Sequence, residues 1–490
     1  MRRIRTQFVL ICLTVLTLTG VRLTVAEEES TTYRLTSKRE AGSVDLVEKT
    51  FDAAGTLLLE IDPATHVSVA TPAREQKNQE KEGKAEKAPK EGKNPDADEQ
   101  KPLIQKIPMK VTSRQKYEEM LIKPGNPVKG EDAQATLGAW YFLENETEIK
   151  IENSAVKPAL DLNQPLIGVD VSNTQIHFFR PEGFLTRDEL DVVNVQGNTL
   201  LVDAILPNRS VRVGESWKQS PDVMGMLLQM DLVFNLEVET KLAEVKKGIA
   251  ILETSGWIEG SYEGNTSKIN VTGKAYFDLN RSRIVWFGLV IQEKRTAGFV
   301  SPGMDVTARV QYQITPQTDS KNLTEDVVSK ISFDEAQYGL LLYQDPGKVW
   351  KFVLTPNWEP MNQNEYQTNF RLLREGELVA QCSVTKLPAD RMALNLKPED
   401  FANQVREMLG DRFDSILDVK TMKHDDGTEI YRVDVAAKYE GLALRMIYYL
   451  ITKKGTESKQ CTAVFTVEDQ LMEKFGEANE QMIQSFSWME

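Results

Sequence analysis

The stretch from 232 to 314 decides the fold: LVFNLEVET (232–240), GIAILETSGWI (248–258), SKINVTGKAYFDL (267–279), IVWFGLVIQEKRT (284–296) and MDVTARVQYQI (304–314). Apolar and polar residues alternate along each piece, which is the period of a half-buried strand. Short polar turns separate the pieces, so consecutive strands pair antiparallel. Several are longer than the usual five or six residues. Long antiparallel strands with tight turns predict a strongly curved sheet or an open barrel.

Working back from this stretch, shorter runs at 43–47, 56–61, 107–112, 139–143, 147–151 and 175–179 carry the same texture. Two helices interrupt them. Thr186-Arg187-Asp188-Glu189 is a capping box, with Leu185 and Leu190 placed as a hydrophobic staple. Ser220-Pro221-Asp222 supplies an N-cap, a first-position Pro and an acid at the positive dipole end. The residues that follow, Met224, Met226, Leu227, Leu228 and Met230 among them, are apolar almost all round. They form either a helix that plugs one end of the sheet or an adaptable Met-rich surface for an apolar ligand.

Leu206-Pro207 followed by Val213-Gly214-Glu215-Ser216-Trp217 reads as a turn and a short strand, with Gly214 at the bend and Trp217 closing on the core. This piece, with Ser255-Gly256-Trp257-Ile258 and the strands after it, resembles a secreted bacterial β-rich family with an LP…VGxxW signature. That family has no assigned activity, so the resemblance implies fold and export but no chemistry.

Residues 1–26 read as a secretory signal: Arg2, Arg3 and Arg5, an apolar run from Phe8 to Leu18, and Thr24-Val25-Ala26 at the cleavage site. The run is short for a membrane span, so no integral membrane segment is expected once the signal is removed. A retained anchor is the alternative. Removing 1–26 leaves 55 basic against 73 acidic residues, a net charge of −18. An acidic exported chain argues against nucleic acid and anionic membrane as partners. Residues 74–102 hold eight basic and eight acidic residues and no large apolar side chain, the composition of a disordered insert.

The expected organisation is a β-rich domain at 27–73 and 103–315 interrupted by that insert, a linker at 316–337, and a C-terminal domain at 338–490. In the last, 351–354, 370–373, 378–387, 428–439, 442–452 and 459–467 read as strands. A helix starting near Pro398 carries a stripe of Phe401, Val405, Met408, Leu409, Phe413, Ile416 and Leu417. Thr466-Val467-Glu468-Asp469 opens a last helix bearing Leu471, Phe475, Ala478, Met482 and Phe486. Cys382 and Cys461 both sit on the apolar face of a strand, as one disulfide or as two buried thiols. The order of these elements, with Phe352, Pro356, Trp358, Tyr448-Tyr449-Leu450, Ala463-Val464-Phe465 and Ile483-Gln484-Ser485-Phe486, resembles the PsbP/DcrB-like fold. The expected class is therefore α+β: a large curved antiparallel sheet followed by a PsbP/DcrB-like α/β/α sandwich. Members of that fold usually bind protein partners without catalysis, an analogy of fold only.

The search for chemistry predicts no catalytic centre, metal or cofactor. There is no phosphate loop, dinucleotide fingerprint or nucleophile elbow. His66 and His177 read as strand-face residues, and Asp425-Asp426-Gly427 as a turn rather than a calcium loop. The expected function is an exported, periplasmic or extracellular, noncatalytic binding or scaffold protein of the bacterial cell envelope, contacting a protein partner. The alternatives are a carrier of an apolar or lipid-like ligand in the concave sheet, and a hydrolase with unlocated carboxylates. An open concave pocket favours the carrier, a packed sheet with an exposed apolar patch favours the partner, and two close, dry carboxylates favour the hydrolase.

Overall fold

The computed structural model describes residues 31–61, 103–126, 128, 134–298, 301–374, 377–389, 392–455 and 458–489. The expected signal at 1–26 and the charged insert at 74–102 lie outside the described residues, as does His66.

In the first part the elements are β1 (Thr32–Leu35), β2 (Val44–Ile61), β3 (Leu103–Lys123), β4 (Thr136–Ile151), β5 (Ser154–Val156), β6 (Leu166–Ser172), β7 (Gln175–Phe179), β8 (Leu185–Thr186), α1 (Arg187–Val193), β9 (Arg209–Arg212), β10 (Ser216–Lys218), α2 (Pro221–Leu228), β11 (Leu232–Lys246), β12 (Ile249–Tyr262), β13 (Asn265–Asp278), β14 (Arg283–Arg295) and β15 (Gly303–Gln317). One sheet runs β10-β11-β12-β13-β14-β15-β2-β3-β4-β6-β7, with β5 beside β4. The runs at 43–47 and 56–61 are two halves of the single strand β2, which pairs along its length with β3 and β15. Phe178 at one end of this order and Val238 near the other belong to one hydrophobic core. A sheet whose two ends share a core must curl, as the long strands predict. Inside the curl lie α1, a 3-10 segment Thr199–Ile205, and α2.

The helix starts are legible. Thr186 accepts from the Glu189 amide and Glu189 returns to Thr186, closing the capping box. At α2 the first-position Pro and the first-turn acid Asp222 are present, but the Ser220 side chain makes no capping bond.

The second part contains α3 (Glu325–Val328), β16 (Leu341–Gln344), β17 (Trp350–Leu354), β18 (Trp358–Gln363), β19 (Gln367–Arg374), β20 (Glu377–Lys386), α4 (Pro398–Leu409), β21 (Phe413–Lys423), β22 (Glu429–Tyr439), β23 (Leu442–Lys453), β24 (Lys459–Glu468), α5 (Met472–Phe475), α6 (Ala478–Gln484) and β25 (Ser487–Trp488). Seven antiparallel strands form a sheet in the order β18-β19-β20-β24-β23-β22-β21, and β25-β17-β16-β8 form a smaller one. The stretch read as a linker packs Leu323 and Ile331 against Ala139 and Phe179.

Two elements overturn the expected α+β class and the PsbP/DcrB-like sandwich. The helix from Pro398 stops at Leu409, because Gly410 takes φ +52, a backbone region that L side chains rarely adopt. Residues Phe413–Lys423, expected to continue its stripe, form strand β21 instead. The last helix is also broken. β24 runs to Glu468, so Thr466 is a strand residue rather than a cap, and Gly476 at φ +55 separates α5 from α6. The chain is mostly β, in several antiparallel sheets with short helical segments.

Candidate interaction surface

The concave face of the large sheet is filled by the chain itself. Met224, Met226, Leu227 and Leu228 are at most 4% exposed and Met230 is 8% exposed. They pack in one core with Leu252, Ile269, Phe287 and Val310 of the strands. Burying each such side chain contributes about 1.5–3 kcal/mol. Trp217 donates its indole N–H to Ile205 O at 2.9 Å and so ties β10 to the same cover.

A charged network fixes this cover to the sheet. Lys49 is fully buried on β2 and donates to Val195 O at 2.9 Å, just beyond α1. Burial pushes its ammonium down to about 7, with Glu119 pulling it back up. Gln115 donates to Val192 O at 2.6 Å, and Thr199 donates to Glu119. Arg39 bridges Asp45 at 3.0 Å and Glu119 at 2.7 Å, and Arg283 donates to Asp45. Among the described residues, Asp45 Oδ1, Gln115 Oε1, Asn198 Nδ2 and the Tyr312 hydroxyl are buried without a hydrogen-bond partner. Each such atom carries a desolvation cost.

A cluster of acids forms where the two parts meet. Desolvation by the surrounding chain raises Asp191 to about 6, with Arg187 opposing and Asp188, Glu359 and Glu263 adding to it. Glu263 is raised too, by burial and then by Glu359, with Arg295 opposing. The Asp191 side chain is nevertheless solvent exposed and Glu263 only half-buried, so solvent screens the pair. Arg187 donates to Pro356 O at 2.8 Å across this junction, and Leu185 pairs with Leu341. His177 stacks on Tyr338 at 5.3 Å, and its pKa is lowered by burial. Asp426 accepts from the amide and hydroxyl of Thr428 at 3.0 Å, closing a turn. No group of three or more metal-ligating side chains occurs among the described residues.

Exposed apolar side chains occur in both parts, Leu232, Phe234 and Trp257 among them in the first, and one group gathers at an edge of the seven-stranded sheet. Of the eight large apolar side chains exposed in the second part, six gather on α4, β21 and the β22–β23 tip: Met408, Ile416, Leu417, Val419, Tyr439 and Leu442. They are between 39% and 60% exposed. α4 turns Phe401, Val405 and Leu409 down onto Val433, Val435 and Tyr448, which leaves Met408 outward. Phe413 tucks beside Arg406, whose guanidinium lies 5.4 Å from the ring. Beyond Phe413, β21 is the edge of the seven-stranded sheet, with β22 on one side only. An edge strand offers unpaired backbone donors and acceptors, and apolar side chains on it make that edge adhesive. The helical period placed Ile416 and Leu417 in the core. The signal for the strand was Gly410 followed by the alternation and β-branching of Ile416, Val419 and Thr421.

Cys382 and Cys461 are both buried and free. Cys461 stands opposite Lys386 and Cys382 opposite Phe465, four positions apart in register. A disulfide needs Cα atoms within about 7 Å, so this register keeps them two thiols.

No helix among the described residues is long and apolar enough to cross a membrane. No protein-family model and no curated protein matches the chain. Among solved structures, it is similar at 8% identity to OccAB4 of Acinetobacter baumannii, with a TM-score of 0.11 over 88% of this chain and 98% of that one. It is similar at 6% identity to OpdQ of Pseudomonas aeruginosa, with a TM-score of 0.10 over 87% of this chain and 98% of that one. Likeness at this level carries no argument about fold or function.

Proposed function

We propose that the chain is an exported, noncatalytic binding module of the bacterial cell envelope that contacts a protein partner. The observation that carries this is the contrast between two of its apolar surfaces. The concave face is packed by α2 and the 3-10 segment, whereas Ile416, Leu417 and Val419 stand open on an edge strand. A packed sheet with an exposed apolar patch is the arrangement of a docking surface rather than of a ligand pocket. Export rests on the basic, apolar and small-residue order of 1–26.

A photo-cross-linking residue placed at Leu417 in cells exporting the protein tests this. A covalent adduct with a polypeptide at Leu417, absent when the same residue replaces the likewise exposed Val156, is the expected result. Equal labelling at both positions, or none at either, refutes the docking role.

One observation favours a second reading, a carrier of an apolar ligand. The cover is joined to the sheet by buried charges with unmatched polar atoms as well as by apolar contact, and each unmatched atom carries a desolvation cost that opening would relieve. The native mass of the gently isolated protein decides: cargo released on denaturation supports the carrier, and a bare chain mass excludes it.

A further inference from the structure

Resting on the partner-binding reading, we propose that the partner at β21 is a second copy of this chain, joined edge to edge across a two-fold axis at Val419. The charge order along the strand carries this. Asp414 and Asp418 come first along it, Lys420 and Lys423 after, with Ile416, Leu417 and Val419 interspersed. A strand acidic at one end and basic at the other attracts its own copy when antiparallel and repels it when parallel. The whole chain carries a net charge of −14, yet the charges of β21 balance.

Geometry narrows the register. A two-fold that continues the sheet must be normal to it, so opposed residues share a face and the axis passes through a residue. β21 is irregular between Phe413 and Ser415 and between Ile416 and Asp418, then runs one-to-one against β22 to Lys423. An axis through Val419 lies in the regular stretch and sets Asp418 opposite Lys420 on both sides. It also opposes the two Val419 side chains. Within the molecule the same two charges face like signs: Asp418 stands opposite Asp434, and Lys420 opposite Arg432. Asp434 and Arg432 are already paired with each other at 2.7 Å. Asp418 and Lys420 pair with one another at 3.0 Å, with their side chains 42% and 55% exposed, and Asp418 also accepts from the Val419 backbone and feels Arg432. The directly opposed partners of opposite sign are supplied by the second copy. The result is a continuous fourteen-stranded sheet from two seven-stranded ones.

The test is a charge exchange in the full mature chain, read as solution mass by light scattering, with circular dichroism to confirm folding. Wild type is expected as a dimer that dissociates on dilution. Asp418→Lys and Lys420→Asp are each expected as monomers, since each opposes like charges twice. Mixing the two variants is expected to restore a dimer containing one of each, because the lysine introduced at 418 then faces the aspartate introduced at 420 of the other copy, and the native Lys420 of the first faces the native Asp418 of the second. Wild type that stays a monomer at every concentration overturns the proposal, as does a dimer that survives both single substitutions or a mixture that stays monomeric. A monomer that still cross-links a different polypeptide at Leu417 sinks the self-pairing and leaves the docking role standing. A monomer that cross-links nothing sinks both.

Discussion

Replacing Lys49 with Met removes a titrating group from the centre of the large domain without changing its length much. Folded, the ammonium is pushed from 10.5 down to about 7. Unfolded, it titrates at the ordinary value. Between these limits the unfolded chain binds more protons than the folded one, so raising the pH stabilises the fold. Each pH unit crossed within this window contributes about 1.4 kcal/mol. From about pH 7.5 to 9 the group therefore adds about 2 kcal/mol to wild-type stability, and methionine adds nothing. Equilibrium urea unfolding followed by tryptophan emission measures both proteins. Losing the bond to Val195 O shifts the variant by a constant amount, so the slope with pH isolates the buried charge. A difference between the two proteins that is flat across this range refutes the account of the network.

Three further outcomes follow from packing and register. Leu227→Ala empties part of the α2 plug, where the side chain is 1% exposed, and should cost about 3–5 kcal/mol in chemical unfolding; a loss below about 1 kcal/mol means the cover is not part of the core. Gly256→Ala places a Cβ 1.9 Å from Glu237 O on the neighbouring strand, so β11 and β12 must part; soluble, wild-type-like protein by circular dichroism contradicts that register. A maleimide should leave the native mature chain unlabelled and add two labels after denaturation without reductant, because Cys382 and Cys461 are buried thiols. A denatured chain that takes no label contains the disulfide.

The large sheet was legible because its strands are amphipathic and their turns polar, so period two survives along 232–314. The capping box at Thr186 was legible because its bonds are local. The extent of β2 was not, because Ala53, Ala54 and Gly55 break the strand texture while pairing with β3 and β15 supplies the stability. Nor was the Lys49 network: its members come from β2, β3, β14 and the cover, and no sequence spacing joins them. The edge at β21 was misread for a different reason. Phe413, Ile416 and Leu417 happen to fall at helical spacing from Leu409, and only the Gly410 backbone separates the two periods. That misreading moved the exposed Ile416 and Leu417 into an imagined core and, with the last helix that Gly476 breaks, supported the wrong fold class.

The docking role of β21 is tested most directly by amide hydrogen exchange of Phe413–Lys423, compared between the purified chain at low concentration and the same chain in isolated envelope fractions. Fast exchange along β21 in the dilute chain and marked slowing in the envelope, with β18 at the opposite edge unchanged, is the predicted result. Equal exchange of β21 in the two states, with slowing elsewhere, contradicts it.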